Sequence, residues 1–440
     1  MGLGHFDGGV EAARWFARNG ARVTVTDLAD ERTLAASVRA LRDERIAGFH
    51  LGGHREEDFR RAEIVVVNPA VRPDNPFLHI ARQSGARLTS EIALFMAVCR
   101  APIIGVTGSN GKSTVAAMVA AILRAAGRRT WLGGNIGRSL LRHVDRIATD
   151  DRVVLELSSF QLWHLGPDVT MPHVAVVTGC SPNHLDWHPS YRHYVAAKQQ
   201  ILLRQTRDDL AVLNTHDEQL AGWGGLVRGR LLPLPRLCEI PRLAVPGRHH
   251  RVNAACAAAA AAGIGLGMEE IRRGLETFSG LPQRLQPLGN VAGRACYNDS
   301  TSTTPESTIA ALETVDRPVW LVAGGKDKGL DFGRLAAAVV EHAVGAAFFG
   351  SVREALRARV AARGPQLPCT AVKTMAEALH WCWQRSQPGQ AIVLSPAAAS
   401  GDQFRNFRHR GETFDRLIHD LQRTAGCRKL ADDSMPSPEL

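Results

Sequence analysis

The sequence predicts an α/β fold that is divided into three domains, and three observations support this. With 440 residues, the chain is too long for one compact core. Short continuous apolar runs recur along it, as expected for strands that are covered on both faces of a parallel sheet. Helical segments separate these runs, so that strands and helices alternate along the chain.

The first block, predicted to span 1–93, has the pattern of a Rossmann-like unit. It opens with "MGLGHFDGGVEAARWFARNGARVTVTD", in which a glycine turn and an amphipathic helix lead to a strand ending at Asp27. An acidic residue about twenty positions after the glycines is typical of a dinucleotide-type fingerprint. The third glycine is shifted, however, and no strand precedes Gly2, although a parallel sheet requires one. We therefore expect the sequence to begin a few residues late in this block.

The second block, predicted to span 94–280, begins at "APIIGVTGSNGKST" and is expected to form a central parallel sheet with flanking helices. Its further strands are predicted in "RVVLELSS", "PHVAVVTGC" and "DDLAVLNT". The alanine-rich stretch "RVNAACAAAAAAGIGL" predicts a closely packed helix, and "FSGLPQR" predicts the linker out of the block.

The third block, predicted to span 281–425, again alternates strands with helices. Strands are predicted in "RPVWLVAGG", "AAFFG" and "AIVLSPA", and a helix in "MAEALHWCWQR". This pattern predicts a second Rossmann-like domain. Residues 426–440 are polar and contain proline, and we expect a flexible tail there.

Composition narrows the classes of function. The formal net charge is +10, but the basic residues are spread along the chain without a nucleic-acid-binding signature, and diffuse positive charge also suits an enzyme with anionic substrates. The longest apolar run, "ACAAAAAAGIGLG", is too short to cross a bilayer, and no export signal is visible. Eight scattered cysteines indicate reduced thiols. We expect a cytoplasmic monomer that binds small molecules, and neither nucleic acid nor a membrane.

The stretch "IIGVTGSNGKST" can hold phosphate. Backbone N–H groups at a helix N-terminus bind phosphate oxygens, a lysine adds positive charge, and a hydroxyl group can reach Mg²⁺. The strict pattern GxxxxGK[ST] would need glycine where the chain has Val106. From these residues alone, a phosphate loop and a simple strand–turn–helix connection both stay open. The loop residues are Gly108, Ser109, Asn110, Gly111, Lys112, Ser113 and Thr114.

Motifs further along the chain favour the first interpretation. "GVTGSNGKST" is similar to the ATP loop of the Mur ligases, and other signatures of that family follow in order. They are "GGNIG", "ELSSFQL", "NHLDWH", "AAKQQIL", "LPQR", "NDST", "GGKDKGLDF" and "LSPAAASGDQFRNFRHRG". The chain resembles the Mur ligase family from about residue 2 to about residue 420, and it is most similar to the glutamate-adding member.

The resemblance implies an ATP-dependent amide-bond ligase of peptidoglycan precursor synthesis. Glutamate would join UDP-N-acetylmuramoyl-L-alanine through an acyl phosphate, with ATP and two Mg²⁺ ions. Because mutually repelling anions must meet, cations carry much of the catalysis. The implied catalytic residues are Lys112, Glu156, His184 and Lys198, and the implied metal ligands are Ser113, Glu156, His184 and Lys198.

Each implied metal ligand also has a plainer interpretation. Glu156 ends an apolar strand, where it could cap the next helix instead of binding Mg²⁺. Without the resemblance, His184 would be an ordinary loop residue and Lys198 a solvated amine on a helix. The resemblance implies that CO₂ carbamylates Lys198, which would replace a cation by a carboxylate that can bind Mg²⁺.

The resemblance also implies binding residues. Further ATP contacts are implied at Asn253, Arg284 and Asp299. The uridine substrate is expected at Gly2, Gly4, Asp27, Asn68, Asn135 and Gly137. The two glutamate carboxylates are expected at Thr303, Lys328, Ser400 and Phe407, the last through its main-chain N–H.

Two departures from the family pattern leave questions open. His250 stands where an asparagine is usual, and Thr301 where a lysine is usual. D-glutamate is the family default, and an L-glutamate variant stays an alternative. A folylpolyglutamate-synthase-like ligase would lack the uridine-binding first block. A non-catalytic nucleotide-binding protein is a third alternative, against which the intact catalytic set argues.

Overall fold

The structure, a computed structural model, describes residues 1–4, 7–166, 169–245 and 247–432, with side chains as far as Arg423. Its α/β architecture confirms the predicted fold class. The chain forms two compact units: the first contains Met1–Leu243 and Arg251–Phe278, and the second contains Ala244–His250 and the chain from Ser279 onward. The domain limits after residues 93, 280 and 425 stay predictions.

The N-terminal part of the first unit alternates short helices and strands. The helices are α1 (Asp7–Arg18), α2 (Ala35–Arg39), α3 (Glu56–Arg60), α4 (Pro76–Gln83) and α5 (Glu91–Val98). The strands are β1 (Val23–Asp27), β2 (Ile46–Leu51), β3 (Ile64–Val66) and β4 (Arg87–Thr89). They form two separate parallel pairs, β1 with β2 and β3 with β4.

The backbone of Met1 and Gly2 lies between these two pairs. The Gly2 N–H donates to the carbonyl oxygen of Thr26 at the end of β1 (2.9 Å), and the Met1 amine donates to the carbonyl oxygen of Val66 in β3 (2.9 Å). These two residues therefore connect β1 with β3 through backbone hydrogen bonds.

The rest of the first unit is built on a six-stranded parallel sheet in the order β10-β9-β8-β5-β7-β6. The strands are β5 (Ile103–Thr107), β6 (Thr130–Gly134), β7 (Arg152–Glu156), β8 (Val174–Val177), β9 (Leu210–Leu213) and β10 (Arg230–Leu232). The helices are α6 (Lys112–Ala125), α7 (Ser159–Trp163), α8 (Tyr191–Leu203), α9 (Arg248–Gly263, whose first three residues belong to the second unit) and α10 (Met268–Glu276), with 3-10 turns at Leu141–Arg146, Glu218–Leu226 and Leu237–Glu239. β5, β8 and β9 are buried throughout, as predicted from their apolar runs.

Close helix packing fixes the position of α6 on this sheet. A Cβ on Gly274 of α10 would lie 2.3 Å from the Cα atom of Ile122 in α6, so the two helix backbones approach each other as closely as glycine allows. Because α6 begins at Lys112, this contact also positions the loop that precedes the helix.

The second unit contains another six-stranded sheet in the order β11-β12-β16-β13-β14-β15, parallel except for the antiparallel pair β11–β12. The strands are β11 (Gln286–Val291), β12 (Arg294–Asn298), β13 (Val319–Gly324), β14 (Ala343–Phe349), β15 (Cys369–Ala371) and β16 (Ala391–Leu394). The helices are α11 (Pro305–Thr314), α12 (Gly333–His342), α13 (Arg353–Arg363), α14 (Met375–Arg385) and α15 (Phe407–Asp432).

The last helix, α15, extends to Asp432. The flexible tail expected at 426–440 stays a prediction. Residues 433–440 of that segment lie outside the described residues. In the described part of the chain, none of the helices combines the length and the apolar character needed to cross a membrane.

Candidate active site

The glycine loop connects β5 to α6. Gly108 (φ +150°) and Gly111 (φ +83°) have backbone angles that residues with a Cβ rarely adopt. A Cβ on Gly108 would lie 2.0 Å from Thr178 Oγ1, and one on Gly111 would lie 2.5 Å from Asn253 Oδ1. The first turn of α6, whose N–H groups find no carbonyl oxygen within the helix, follows directly at Lys112. The loop therefore has the geometry of an anion site, and the predicted ATP contact Asn253 lies against it.

Two lysine side chains meet at this loop. Lys112 Nζ donates to the carbonyl oxygens of Gly108 (2.9 Å) and Ser109 (3.0 Å), and Lys198 Nζ donates to the same Gly108 oxygen (2.6 Å). Lys198, on α8, is buried, and its amine lies 4.7 Å from the centre of the Tyr194 ring. Burial, assisted by the charge of Lys112, lowers the pKa of the Lys198 amine well below its ordinary value. Lys198 is therefore no ordinary solvated amine.

Glu156 ends β7 beside the loop. β7 pairs with β5, and Glu156 lies opposite Val106. The carboxylate is buried: Oε1 accepts a hydrogen bond from Asn135 Nδ2 (2.8 Å), whereas Oε2 has no hydrogen-bond partner among the described residues. A buried carboxylate oxygen without a partner is costly unless a cation or a donor reaches it. The residues present therefore fit a divalent cation at Glu156.

The alternative role of Glu156 as a helix cap is not seen. α7 is capped instead by Ser158, whose Oγ accepts a hydrogen bond from the Gln161 N–H (3.2 Å), while Gln161 Oε1 accepts one from the Ser158 N–H (3.0 Å). Asn135 was predicted to face the uridine substrate, and its amide group donates a hydrogen bond to Glu156. Gly137 follows as an exposed residue with φ +74°.

His184 lies in the exposed turn between β8 and α8. Its φ of +54° is unusual for a residue with a side chain, and its ring lies 4.8 Å from the ring of Phe160 at the start of α7. Among the described residues, no group of three or more His, Cys, Asp and Glu side chains is placed to hold a metal ion. The predicted ligand set is not such a group, because it combines one carboxylate and one imidazole with the hydroxyl group of Ser113 and a modified lysine.

Residues that follow β8 and β9 support the glycine loop. They were not predicted from the sequence. Thr178 Oγ1 donates to the carbonyl oxygen of Asn110 (2.5 Å), and the Ser109 N–H donates to the carbonyl oxygen of Gly179 (2.8 Å). Asp217 Oδ2 in turn accepts from the Cys180 N–H (2.9 Å). Thr178 and Cys180 lie in the predicted strand stretch "PHVAVVTGC", but a side chain that supports a neighbouring loop has no pattern of its own in the sequence.

Four residues predicted to face the uridine substrate come together in the N-terminal part. The Gly4 N–H donates to Asp27 Oδ2 (3.0 Å), and Asn68 Nδ2 donates to the carbonyl oxygen of Gly2 (3.0 Å). The second oxygen of Asp27 accepts from the Ala29 N–H (2.9 Å). Asp27 and Asn68 therefore shape the glycine turn, and their contacts with substrate stay predictions.

In the second unit, Arg284 and Asp299 belong to one buried loop system. The residues on both sides of Arg284 have positive φ angles, +59° at Gln283 and +43° at Leu285. Asp299 accepts hydrogen bonds from the Leu285 N–H (2.9 Å) and from Ser395 Oγ (2.7 Å), and burial raises its pKa to about 6. Both Asp299 oxygens are thus used within the protein, and its predicted ribose contact stays a prediction.

The two departures from the family pattern have defined environments in this unit. His250 is buried, its Nδ1 has no hydrogen-bond partner among the described residues, and burial together with the charges of His249 and Arg284 lowers its pKa to about 3. Thr301 Oγ1 donates to the carbonyl oxygen of Gln283 (2.9 Å). Thr301 therefore holds the loop that carries Arg284 and supplies no cation.

The predicted glutamate residues lie on four segments of the second unit. These carry Thr303 before α11, Lys328 after β13, Ser400 after β16 and Phe407 at the start of α15; Ser400 is buried, whereas Lys328 and Phe407 are exposed. Their contacts with glutamate stay predictions.

One fully buried side chain, Arg410, joins these four segments. From α15, Arg410 Nη2 donates to the carbonyl oxygen of Ser300 (2.9 Å), and Nη1 lies within hydrogen-bond distance of those of Ala398 (3.0 Å) and Gly324 (3.4 Å). Burial lowers its pKa to about 10, so the guanidinium stays charged at neutral pH. "RHRG" was part of a recognised motif, but nothing in the sequence shows that this arginine is buried.

Comparison with known proteins places each part of the chain. The profile of the Mur ligase MurD-like N-terminal domain matches residues 1–90, that of the Mur ligase middle domain matches 106–227, and that of the Mur ligase glutamate ligase domain matches 283–398. The first of these covers the block that a folylpolyglutamate-synthase-like ligase would lack, so that alternative is not favoured.

Whole-length relatives agree with the profiles. UDP-N-acetylmuramoylalanine–D-glutamate ligase of Roseiflexus sp. (strain RS-1) is 36% identical over 95% of this chain and 97% of its own length, and that of Symbiobacterium thermophilum is 34% identical over 93% and 95%. Among solved structures, MurF from Acinetobacter baumannii has the same fold, with a TM-score of 0.59 and 18% identity over 83% of this chain and 92% of its own.

The glycine loop, the buried unpaired carboxylate beside it and the glutamate ligase profile over the second sheet define an enzyme of the ATP-dependent ligase class. Its relatives are more than 30% identical over nearly the whole chain, and the chain belongs to the Mur ligase family. ATP and Mg²⁺ are the cofactors of that family.

Proposed function

We propose that this enzyme joins D-glutamate to UDP-N-acetylmuramoyl-L-alanine, with conversion of ATP to ADP and phosphate, in peptidoglycan precursor synthesis. The names of its full-length relatives support the reaction and the D-enantiomer. The enzyme acts as a cytoplasmic monomer on small molecules. Residues 1–93 bind the uridine substrate, 94–280 bind ATP, and 281–425 bind glutamate.

The observation that carries this proposal is the unpaired Oε2 atom of Glu156 beside the glycine loop. A buried anionic oxygen needs a positive partner, and a Mg²⁺ ion with its bound ATP supplies one. Ser113, Glu156, His184 and carbamylated Lys198 would hold two Mg²⁺ ions. When bound, the ions neutralise the phosphate charges and draw electron density from the transferred phosphoryl group.

In the first chemical step, an alanyl carboxylate oxygen attacks the γ-phosphorus of ATP. The bond between the γ-phosphorus and the β,γ-bridging oxygen breaks, ADP leaves, and an acyl phosphate remains. The backbone N–H groups of 108–114 hold the phosphates, and Lys112 moves from the Gly108 and Ser109 carbonyl oxygens to the transferred group. Asn253, Arg284 and Asp299 orient the nucleotide.

In the second step, the amine of glutamate attacks the carbonyl carbon of the acyl phosphate. The tetrahedral intermediate expels phosphate together with the electron pair of the C–O bond, and the amine loses a proton to give the amide. Lys328, Thr303, Ser400 and the Phe407 N–H hold the two glutamate carboxylates, because a cation and neutral donors suit a dianion. Gly2, Gly4, Asp27, Asn68, Asn135 and Gly137 hold the uridine substrate.

The environment of Lys198 supports its carbamylation. CO₂ reacts with a neutral amine, and burial makes the Lys198 amine neutral more readily than an exposed one. Transfer of the amine electron pair to the carbon of CO₂ with loss of one proton leaves a carbamate, whose oxygen atoms can bind Mg²⁺. This modification also removes the repulsion between Lys198 and Lys112.

Replacement of Lys198 tests the carbamate. Lys198→Ala is expected to lower kcat about 100-fold or more, because a charged group at the reacting phosphates is lost. Lys373→Ala, at an exposed lysine of the second unit, serves as the control and is expected to keep wild-type activity. Carbon-13 NMR with labelled bicarbonate should show a carbamate signal in the wild type that Lys198→Ala lacks; full activity of the wild type after removal of bicarbonate and CO₂ would contradict this role.

A phosphate-release assay tests the whole proposal. ATP, Mg²⁺ and UDP-N-acetylmuramoyl-L-alanine are supplied with D-glutamate or with L-glutamate, and both are repeated without the uridine substrate. We expect release only with D-glutamate and the uridine substrate together. Phosphate release with L-glutamate and not with D-glutamate would favour the L-glutamate variant. The absence of release in every arm would favour a non-catalytic nucleotide-binding protein.

A further inference from the structure

The three segments that carry the proposed metal ligands Glu156, His184 and Lys198 meet at one side chain. These segments are β7 with the start of α7, the turn of residues 184–188, and α8. His188, the last residue of the turn, contacts all three of them, and its side chain is fully buried. None of the roles assigned above uses His188.

The contacts of the His188 ring are polar on both sides. Its Nε2 lies 2.9 Å from Oγ of Ser159, the first residue of α7, and its Nδ1 lies 2.8 Å from Nδ1 of His193 on α8. A neutral imidazole has one donor and one acceptor nitrogen, which matches a hydroxyl group on one side and a second imidazole on the other.

The same residue closes the turn that holds His184. The His188 N–H donates to the His184 carbonyl oxygen (2.9 Å), which also accepts from the Trp187 N–H (3.1 Å). His184 has the positive φ of +54°, a conformation that persists only where neighbouring contacts fix it. Phe160 packs against both rings, at 4.8 Å from His184 and 5.6 Å from His188.

We infer that His188 is a positioning residue for the second metal site, which it serves by fixing the turn of His184 between α7 and α8. This inference rests on the metal role proposed for His184. His188 does not touch the metal; its two ring contacts set the distance from the His184 turn to the segments that carry Glu156 and Lys198.

A purely structural role for His188 makes a different prediction. If the ring only stabilised the first unit, its removal would lower the melting temperature and leave the affinity for the metal unchanged. If it positions His184, removal weakens metal binding at that site, as loss of outer contacts to metal ligands commonly does by about 10-fold to 100-fold. The affinity for glutamate, which is bound by the second unit, should not change.

The experiment compares His188→Ala with His188→Gln, which can reach one of the two partners, and with Ser159→Ala, which removes the contact to α7. His173→Ala is the control, because His173 is a partly exposed residue of the first unit whose ring pairs with Asp209 (3.2 Å). Mn²⁺ binding in the presence of a non-hydrolysable ATP analogue is measured by electron paramagnetic resonance. Activity is then measured as a function of Mg²⁺ concentration.

For His188→Ala we expect weaker binding of one of two Mn²⁺ ions and a higher Mg²⁺ concentration for half-maximal activity, by about 10-fold or more. The KM for glutamate should stay at the wild-type value, and His188→Gln should lie between Ala and wild type. If His188→Ala and Ser159→Ala both bind two Mn²⁺ ions with wild-type affinities, the inference is overturned. If His188→Ala does not fold, Ser159→Ala alone decides. Wild-type Mn²⁺ binding by His184→Ala would instead remove the proposed metal role itself.

Discussion

We propose a metal site in the first unit and a glutamate site in the second, and we call their surroundings the metal corner and the glutamate corner. The two corners are held together by different chemistry. In the metal corner, Ser159, the His184 turn and His193 meet at the neutral ring of His188. In the glutamate corner, four segments meet at the charged guanidinium of Arg410, which donates to carbonyl oxygens and to the Ser300 hydroxyl group.

The difference follows from the geometry of the segments to be joined. A guanidinium has five N–H donors in one plane and can bind several carbonyl oxygens that face the same point. An imidazole has two polar atoms and can join two side chains across a turn. Loss of the guanidinium would leave several buried carbonyl oxygens without donors, so we expect the glutamate corner to depend more on its single residue than the metal corner does.

The largest effect is expected for Arg410→Met. Buried carbonyl oxygens lose their donors, and the free energy of unfolding of the second unit should fall by about 3–5 kcal/mol. The KM for glutamate should rise, while the affinity for ATP analogue in the first unit should change less. Chemical denaturation and glutamate titration measure both.

The matched control is Arg357→Met, at an exposed arginine that pairs with Glu354 (3.2 Å). Removal of such a surface pair should cost less than about 1 kcal/mol. Arg410→Lys keeps the charge but not the planar arrangement of donors, so its free energy of unfolding should lie between those of Arg410→Met and the wild type. Equal losses for the Met variants at 410 and 357 would refute the special role of Arg410.

A second prediction concerns pH and the carboxyl group of Asp299 beside this corner. Burial raises its pKa from 3.8 to about 6, so between these values the folded chain keeps a proton that the unfolded chain has released. The free energy of unfolding should therefore fall as pH rises through this window and stay level above it. Asp299→Asn cannot ionise, and its stability relative to wild type should rise by about 2–3 kcal/mol from pH 4 to pH 7.

The exposed Asp316 provides the comparison for this measurement. Asp316→Asn makes the same chemical change at a solvent-exposed carboxylate and serves as the matched control. Thermal melting of both variants and the wild type at several pH values gives the differences. A parallel course of Asp299→Asn and wild type across the window would show that burial of Asp299 does not disfavour its charge.

An effect of similar size is expected in the first unit, at the backbone of the glycine loop. Gly111→Ala should destabilise the first unit by about 1–2 kcal/mol because of its positive φ, and by about 1 kcal/mol more because the new Cβ would meet Asn253 Oδ1. Gly265→Ala has a similar φ of +90° with no atom within 4 Å of its Cβ, and should show the first cost alone. Affinity for ATP analogue should fall for the variant at 111 and not for the one at 265.

The strands could be predicted from the sequence, whereas the contacts that hold the two corners together could not, and both outcomes have physical reasons. β7, β8 and α14 lie inside the predicted stretches because burial on both faces, or on one helical face, leaves a local pattern. Arg410 lies more than a hundred residues from Ser300, so its contacts leave no local pattern. The contact between the Asn135 amide and Glu156 was likewise not predicted, and the substrate contact of Asn135 stays a prediction.

The residues of the glycine loop and the residues that support this loop therefore differ in how well the sequence predicts them. The motif residues of the glycine loop could be identified because backbone angles and helix termini require particular residue types at fixed spacing. The residues that support them, such as Thr178 and Asp217, could not, since many polar residues can supply one hydrogen bond to a neighbouring loop.

The close approach of α10 to α6 has a consequence for anyone who wishes to make this enzyme more heat-resistant. Gly274 lies within a helix, where exchange of glycine for alanine ordinarily gains about 1 kcal/mol. Here the added methyl group would press on the backbone of Ile122 and push α6 away from α10, and the first residue of α6 is Lys112. The most obvious stabilising substitution would thus be made at the expense of nucleotide binding some ten residues away along α6.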